Sequence, residues 1–458
     1  MSAADSLRHG RPSLVRSVAV AASSLGLGRR ALVIALVVVV AAGLGVLSVL
    51  STEFALIGAV AVLALGVLAI DPLLVVILAV PGSLIMMRVG GALSVADVIL
   101  AGGMAVTLLL LRGKDTRDLQ PLLWAGAAYL AAALPTLVLN PYSENIVEWL
   151  HEFVLVIGSM LVGYTIGRFG RAQIAVSLYV IGCLGIAVVA SFVAAAMFAS
   201  GQGFGPVYLP DLHKNAIGGS LAMAIVLLYA RPAWFSWRMG WSRAAILLLG
   251  VGVVASQSRQ AMLGAVAGLI IVSLRRRPDT GRFPRLVWFA ALPVVVFVLT
   301  MVNDQLTEDN EFNSANQRLD WYAQTIEIWD TSPIFGVGLR WWYTDRFPGA
   351  GFQPPNAELE VLSSVGVVGL LGFLVMFAVG FWALWRIDPA YGTVGAAIVV
   401  TRFVQAQFDL YWVAGQASFL WIVGAICIGA LAHQRDADER AGRLKSPGFA
   451  PALTPRRR

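Results

Sequence analysis

The sequence predicts an all-α, polytopic integral membrane protein with about 12–14 transmembrane helices and a large outward loop carrying an amphipathic helix. Three observations predict it. The 458 residues are 58% hydrophobic and 13% charged, with a mean hydropathy of +0.78, a balance that belongs to membrane proteins. Apolar runs of spanning or near-spanning length recur along the chain,. The net charge of +7 falls mostly in short loops and tails, a topological pattern that implies no nucleic-acid partner,.

Residues 1–30 carry Arg8, Arg11, Arg16, Arg29 and Arg30 and read as a cytoplasmic basic N-terminus. The apolar run that follows is too long for a signal-peptide core and reads as a retained first helix. Apolar segments are expected at 31–50, 54–70, 72–87, 94–111, 121–139, 147–167, 173–199, 215–230, 244–257, 260–274 and 284–302, a bundle spanning 31–302,. An extracytoplasmic loop covers 303–358. Three further helices follow at 359–385, 390–411 and 414–432, and 433–458 is a polar cytoplasmic tail,. Alternating these segments from a cytoplasmic N-terminus puts the basic loops inside, from Arg112 to Arg117, 231–243, 275–285 and Arg386 among them,. Cys183 and Cys427 lie in apolar runs and read as small buried hydrophobes, not a disulfide,.

The stretch Ala244–Ser273 is apolar except for Ser256-Gln257-Ser258-Arg259-Gln260 and is flanked on both sides by arginines. Two basic flanks make it a hairpin with Arg259 at the outward turn. Arms of about 15 residues rise roughly 22 Å, less than the ~30 Å hydrocarbon core. Arg259 is then recessed, where a guanidinium needs a partner such as an anionic head group; the alternative is a turn residue that snorkels outward. In the large loop, Leu319, Tyr322, Ile326 and Trp329 fall on one side of a helix expected from Ser314 to Trp329,. Ser314-Ala-Asn-Gln317 starts it, Ser332-Pro333 stops it, and Trp341 and Trp342 are expected at the membrane interface,.

Candidate groups gather on the outward face. His213, after Asp211, is a possible general base, with surface placement as the competing reading. Glu358 and Glu360 stand at a helix N-terminus, where the dipole alone favours carboxylates. Arg318 and Arg340 in the loop are candidate anion contacts or ordinary exposed arginines, and Arg88 lies in another outward loop. Arg402 and Asp409, seven residues apart, are expected on one helical face as a structural pair or a substrate contact. Asp436-Ala-Asp438 reads as a solvated charge run rather than a metal–nucleotide site. No phosphate-binding loop, C-x-x-C or His pair at metal-ligand spacing is present, and no cofactor is expected,.

Three stretches resemble the O-antigen ligase and O-antigen polymerase-like bacterial membrane proteins. Ser256-Gln-Ser-Arg259-x4-Gly264 is similar to that family's S-x-S-R-x4-G. Asn316-Gln-Arg318 followed by Ser332-Pro-Ile-Phe-Gly336-Val-Gly338 resembles its arginine and S-P-x-x-G-x-G sequence. Pro355-Asn356-Ala-Glu-Leu359-Glu360 through Gly366-Val-Val-Gly369 resembles its H-N-x-x-L and G-x-x-G-L. Asn215 after a Gly-rich loop also fits. The resemblance implies a metal-independent ligase or polymerase in the cytoplasmic membrane. It would move a glycan from a polyprenyl-diphosphate carrier to a glycan or glycolipid acceptor hydroxyl on the outer face, in cell-surface polysaccharide synthesis. It further implies catalytic roles for Arg259 and Arg318, with His213, Glu358 or Glu360 as base in place of the family's His, which is Pro355 here, unless the acceptor needs little activation or transfer activity has been lost. Arg340, Asn215, Asn356, Glu358, Arg402 and Arg88 would contact substrate. A transporter or flippase of lipid-linked glycan and a non-catalytic scaffold of the polysaccharide machinery are the competing classes.

Overall fold

The chain divides into two compact units, Met1–Pro72 and Leu73–Arg458. The computed structural model describes residues 66, 69–90, 93–275, 284–307, 314–347, 352–413 and 415–442, nearly all in the second unit. The expected basic N-terminus, the segment 31–50, nearly all of 54–70 and the tail beyond 442 lie outside the described residues.

Helices follow in the order α1 (Pro72–Gly82), α2 (Val95–Leu110), α3 (Arg117–Leu139), α4 (Ser143–Arg168), α5 (Ala172–Ala199), α6 (Lys214–Ala230), α7 (Met239–Ser256) and α8 (Arg259–Leu274). After them come α9 (Pro284–Thr307), α10 (Ser314–Asp330), α11 (Ala357–Arg386), α12 (Pro389–Ala406) and α13 (Gln416–Arg440). Between α1 and α2 a small antiparallel hairpin pairs β1 (Arg88–Gly90) with β2 (Leu93–Ser94). Among the described residues, six helices, α3, α4, α5, α7, α11 and α13, are long and apolar enough to cross a membrane; α1, α2, α6 and α8 are shorter and also apolar. The protein is an all-α, multi-pass membrane protein.

Helix α13 is the axis of the bundle. Every residue from Gln416 to Ala430 is buried, which its all-round apolar sequence requires. It packs on α4 backbone to backbone. A Cβ at Gly167 would stand 2.6 Å from the Ala430 amide, so only small residues permit the approach,. Helix α4 carries a π-helical turn at Val154–Gly158, the kind of local irregularity that often accompanies a functional site.

Helix α11 breaks at Gly366, where φ is 69° and ψ is −170°, a conformation open essentially to glycine alone,. The break frees backbone groups, and the loop after α10 takes them. Val337 and Gly338 donate to Ser363 and Ser364 carbonyls, both at 2.9 Å, while Val367 and Val368 donate to Pro333 at 3.0 Å and Ile334 at 3.3 Å. Gly336, at φ 70°, faces the Ser364 carbonyl with no room for a side chain. The S-P-x-x-G-x-G and G-x-x-G stretches are therefore two halves of one joint.

Several expectations require correction. The segment placed at 390–411 stops at Ala406, and residues 407–413 run as irregular backbone. Arg402 and Asp409 consequently share no helical face, and Asp409 pairs with Gln260 instead. Trp341, expected at the membrane interface, is fully buried with Ile328 and Val337 and packs against Phe347 and Phe352; its indole donates to Ser363 Oγ at 3.1 Å. The helix expected from Ser314 to Trp329 is α10 and needs no correction; it packs through Thr325 and Ile328 and leaves Leu319 and Ile326 exposed. The last apolar segment, placed at 414–432, is longer than expected: α13 continues into the polar tail as far as Arg440. Arg168 pairs with Asp436 and Arg435 with Asp118 at 3.5 Å, which gives the first half of the D-x-D sequence a structural role.

Candidate functional site

Four chain segments meet where α7 turns into α8. Helix α7 ends at Ser256, Gln257 takes a left-handed conformation at φ 50°, and α8 begins at Arg259 with Ser258 as its N-cap residue. Side-chain amides pin this turn. Gln257 Nε2 donates to the Phe204 carbonyl at 2.8 Å, tying it to the loop before α6. The Ser258 hydroxyl donates to Asn215 Oδ1 at 3.3 Å, and Gln260 Nε2 donates to Asp409 Oδ2 at 2.7 Å. Asn215 is buried, so its amide serves as a brace beneath the turn.

The turn presents charge of one sign. Arg259 is half-buried and lies within electrostatic reach of Arg318 from the first turns of α10. Lys214, the first residue of α6, feels both arginines, with Asp409 as the opposing charge. Three cations thus lie together, with Asp409 opposing them at Lys214, and an added anion would relieve their mutual repulsion,. Lys214 and Asp409 carry the largest additions that the structure makes to the sequence reading. Lys214 could have been found from the rule that the first turn of a helix after an outward loop faces the same side as Arg259. Nothing in the sequence brings residue 409 to residue 260.

His213 is the N-cap of α6 and sits edge-on to Tyr208 at 5.2 Å. Desolvation lowers its pKa below the ordinary imidazole value; Asp409 opposes the shift, and Lys214 and Arg318 add to it. Its Nδ1 accepts from the Asn215 amide at 3.3 Å. The neutral ring therefore carries its proton on Nε2,. In that tautomer it is a donor. Tyr322 lies alongside on α10, its hydroxyl donating to the Pro355 carbonyl at 3.3 Å. Its pKa is raised by burial first, with Arg318 opposing and Asp409 adding.

Asn356 caps α11. Its Oδ1 accepts from the Leu359 amide at 2.9 Å, and its Nδ2 donates to the Gln407 carbonyl at 3.0 Å. Glu358, in the same first turn, accepts from Gln407 Nε2 at 2.6 Å. Both residues hold the irregular 407–413 segment, whose Asp409 reaches the cluster. Arg402 holds it from below: fully buried, it donates through Nη2 to the Leu410 and Tyr411 carbonyls at 2.9 and 2.8 Å. Non-helical backbone inside a membrane bundle needs such satisfaction.

Glu360 and Arg340 belong to a second, buried group. Arg340 Nε meets Glu148 Oε2 at 2.7 Å. His151 bridges Glu148 at 3.2 Å and Asp97 at 3.1 Å. Tyr129 donates to Glu152 at 2.9 Å, and Gln353 donates to Glu360 at 2.7 Å. Glu148, Glu152, Arg340 and Glu360 line one small enclosed space with Tyr129, Trp342 and Trp412. The structure thus separates the candidates. Arg259, Arg318, His213 and Asn215 come together, Glu358, Asn356 and Arg402 hold the segment beside them, and Glu360 and Arg340 lie in the buried network. Arg88 is exposed on β1, with Ser94 as its register partner.

Lys214, Arg259 and Arg318 bring monodentate and forked N–H donors within electrostatic reach of one another, the donor set that suits the several oxygens of a phosphate ester,. Among the described residues, no group of three or more His, Cys, Asp or Glu side chains is arranged to hold a metal ion. No curated protein sequence matches the chain. Residues 244–374, under a third of the chain, run from the start of the Arg259 hairpin through α10 and the broken α11, and this stretch matches the Wzy_C family model, O-antigen ligase.

Proposed function

We propose that the protein transfers a glycan from a polyprenyl-diphosphate carrier to an acceptor hydroxyl, on the outer face of the cytoplasmic membrane, in the assembly of a cell-surface polysaccharide. The observation that carries this reading is the gathering of Lys214, Arg259 and Arg318 at the α7–α8 turn, with Asp409 as the charge that opposes them at Lys214. Such a site is incomplete without an anion. A diphosphate supplies one, and the family matched over 244–374 supplies the reaction class.

The acceptor oxygen attacks the anomeric carbon while the bond from that carbon to the diphosphate oxygen breaks. The bonding pair leaves on the diphosphate. Lys214, Arg259 and Arg318 are already positioned where that charge grows, so they stabilise the transition state more than the ground state. His213, a donor at Nε2, adds a hydrogen bond to the same leaving group. The acceptor proton passes to a carboxylate. We assign this step to Asp409, held on one oxygen by Gln260 and within electrostatic reach of Lys214, with Glu358 on the neighbouring helix as the alternative. Pro355 removes the family's His from this step, and Asp409 takes the proton in its place.

The test is transfer by purified protein supplied with a polyprenyl-diphosphate glycan pool and acceptor. Arg259→Ala and Arg318→Ala are each expected to lower turnover by about 10²–10³, the usual cost of one preorganised charge donor. Asp409→Asn should lose activity while still binding donor. Folded variants that turn over like the wild type would refute the assignment. One observation favours a second reading. The buried Asp97–His151–Glu148–Arg340 network is the kind of intramembrane ionisable chain that proton-coupled transporters use,. A flippase would move fluorescent lipid-linked glycan across vesicles without forming product, and would depend on His151 rather than Asp409.

A further inference from the structure

A second opening lies at the other end of α7, far along that helix from Arg259. It is a groove of about 500 Å³ between α5 and α7, lined by Leu184, Trp237, Arg238, Trp241, Ala244 and Leu248. The volume falls within the roughly 300–1,000 Å³ of sites that hold small molecules. Apart from the Arg238 guanidinium and the indole nitrogens of Trp237 and Trp241, of which that of Trp237 donates to Ser177 at 2.9 Å, the lining side chains are apolar.

The order of these residues along the groove matters. Leu248 is nine residues past the start of α7, and Leu184 is twelve past the start of α5. At 1.5 Å per residue these positions lie about 14 and 18 Å inside the helix ends, near the middle of a ~30 Å hydrocarbon core. Arg238, Trp237 and Trp241 stand at the mouth. The groove is thus apolar at membrane depth, aromatic at interface depth and cationic at its rim. Trp241 is 68% exposed, an indole laid open beside the groove. The first turn of α7 has no side-chain cap, so its amides add donors beside Arg238,.

We propose that this groove binds one anionic glycerophospholipid of the surrounding bilayer, its acyl chain along Ala244 and Leu248 and its phosphate at Arg238. Charge selects the occupant: the rim is cationic, and neither aspartate nor glutamate lines the groove. The site is independent of the transfer reaction, since it lies at the opposite end of α7 from the Arg259 turn.

The full-length protein is reconstituted into nanodiscs of phosphatidylglycerol with phosphatidylcholine, released into mild detergent and weighed by native mass spectrometry. One phosphatidylglycerol per chain is expected to survive release in wild type. Arg238→Ala should lower that retention at least tenfold. Leu248→Trp fills the groove without touching the charge and should lower it as well, while Trp124→Ala, at another exposed tryptophan, should not. Equal retention of phosphatidylcholine, or retention unchanged in both groove variants, overturns the proposal. So does a photocrosslinker at position 248 that captures another part of this chain or a second copy instead of lipid.

Discussion

Replacing Gly366 by alanine tests the joint between α11 and the loop that follows α10. At φ 69° and ψ −170° an L-residue costs about 1–3 kcal/mol in backbone strain,. The new Cβ would also overlap the Ile334 carbonyl and come within 2.5 Å of the Phe335 nitrogen, so the loop must withdraw. Four backbone hydrogen bonds join loop and helix here. Losing half of them adds about 2 kcal/mol at roughly 1 kcal/mol each, for a total of roughly 3–5 kcal/mol. The damage should reach the site, because the Trp329 indole of α10 donates to the Pro333 carbonyl at 3.0 Å, and α10 carries Arg318. A displacement of about 1 Å there is expected to reduce transfer by about 10². Denaturant unfolding in detergent micelles and a transfer assay read the two effects. Gly185→Ala on α5, where a Cβ meets nothing within 4 Å, is the control and should be neutral or slightly stabilising,. If Gly366→Ala unfolds within about 1 kcal/mol of wild type and keeps its turnover, the joint does not position Arg318.

Lys214→Ala should separate stability from activity: turnover falls by about 10²–10³, while thermal stability without donor rises slightly, because like charges no longer face each other,. Micelle-based melting with and without inorganic diphosphate checks this, and a variant that is both less stable and fully active would contradict it. His213 sets a pH window. Its folded pKa lies below the ordinary 6.5, so the unfolded chain takes up the proton first as pH falls. Its contribution to stability is complete above 6.5 and is lost from there down through the lowered folded value. The wild type should therefore lose melting temperature over that interval, and His213→Gln should flatten the loss. Arg402→Met leaves the Leu410 and Tyr411 carbonyls without their donor; a loss of about 3 kcal/mol or more is expected, with Asp409 released from Gln260.

Much of the helix order was legible because apolar length and the position of arginines are one-dimensional signals. Arg259 and Arg318 could be picked out because a polar residue in an apolar run, or beside a cap sequence, is conspicuous by itself. Partnerships were not legible. Asp409 read as a helical neighbour of Arg402 because the apolar pattern continues past Ala406, and only tertiary packing shows that α12 ends there. Trp341 read as an interface residue because tryptophan is common at that level; the close approach at Gly366 buries it instead. The acidic network was invisible for a related reason: Asp97, Glu148 with Glu152, and Glu360 come from three separate helices, and no spacing in the sequence brings them together. Glu358 and Glu360, two residues apart, face different groups, and sequence spacing alone assigns them no distinction.

Helices α6 and α8 have 17 and 16 residues, which at 1.5 Å each gives about 25 Å, against a ~30 Å hydrocarbon core. Their first residues, Lys214 and Arg259, are two of the three cations of the site. A carrier lipid would then have no need to rise out of its leaflet to reach them; its head group could slide in sideways at a local dimple while the isoprenoid tail stays among acyl chains. Bilayer thickness becomes a control on access. Turnover in vesicles should decline as acyl chains lengthen, at constant head-group composition, and binding of soluble diphosphate in detergent should be indifferent to the same change.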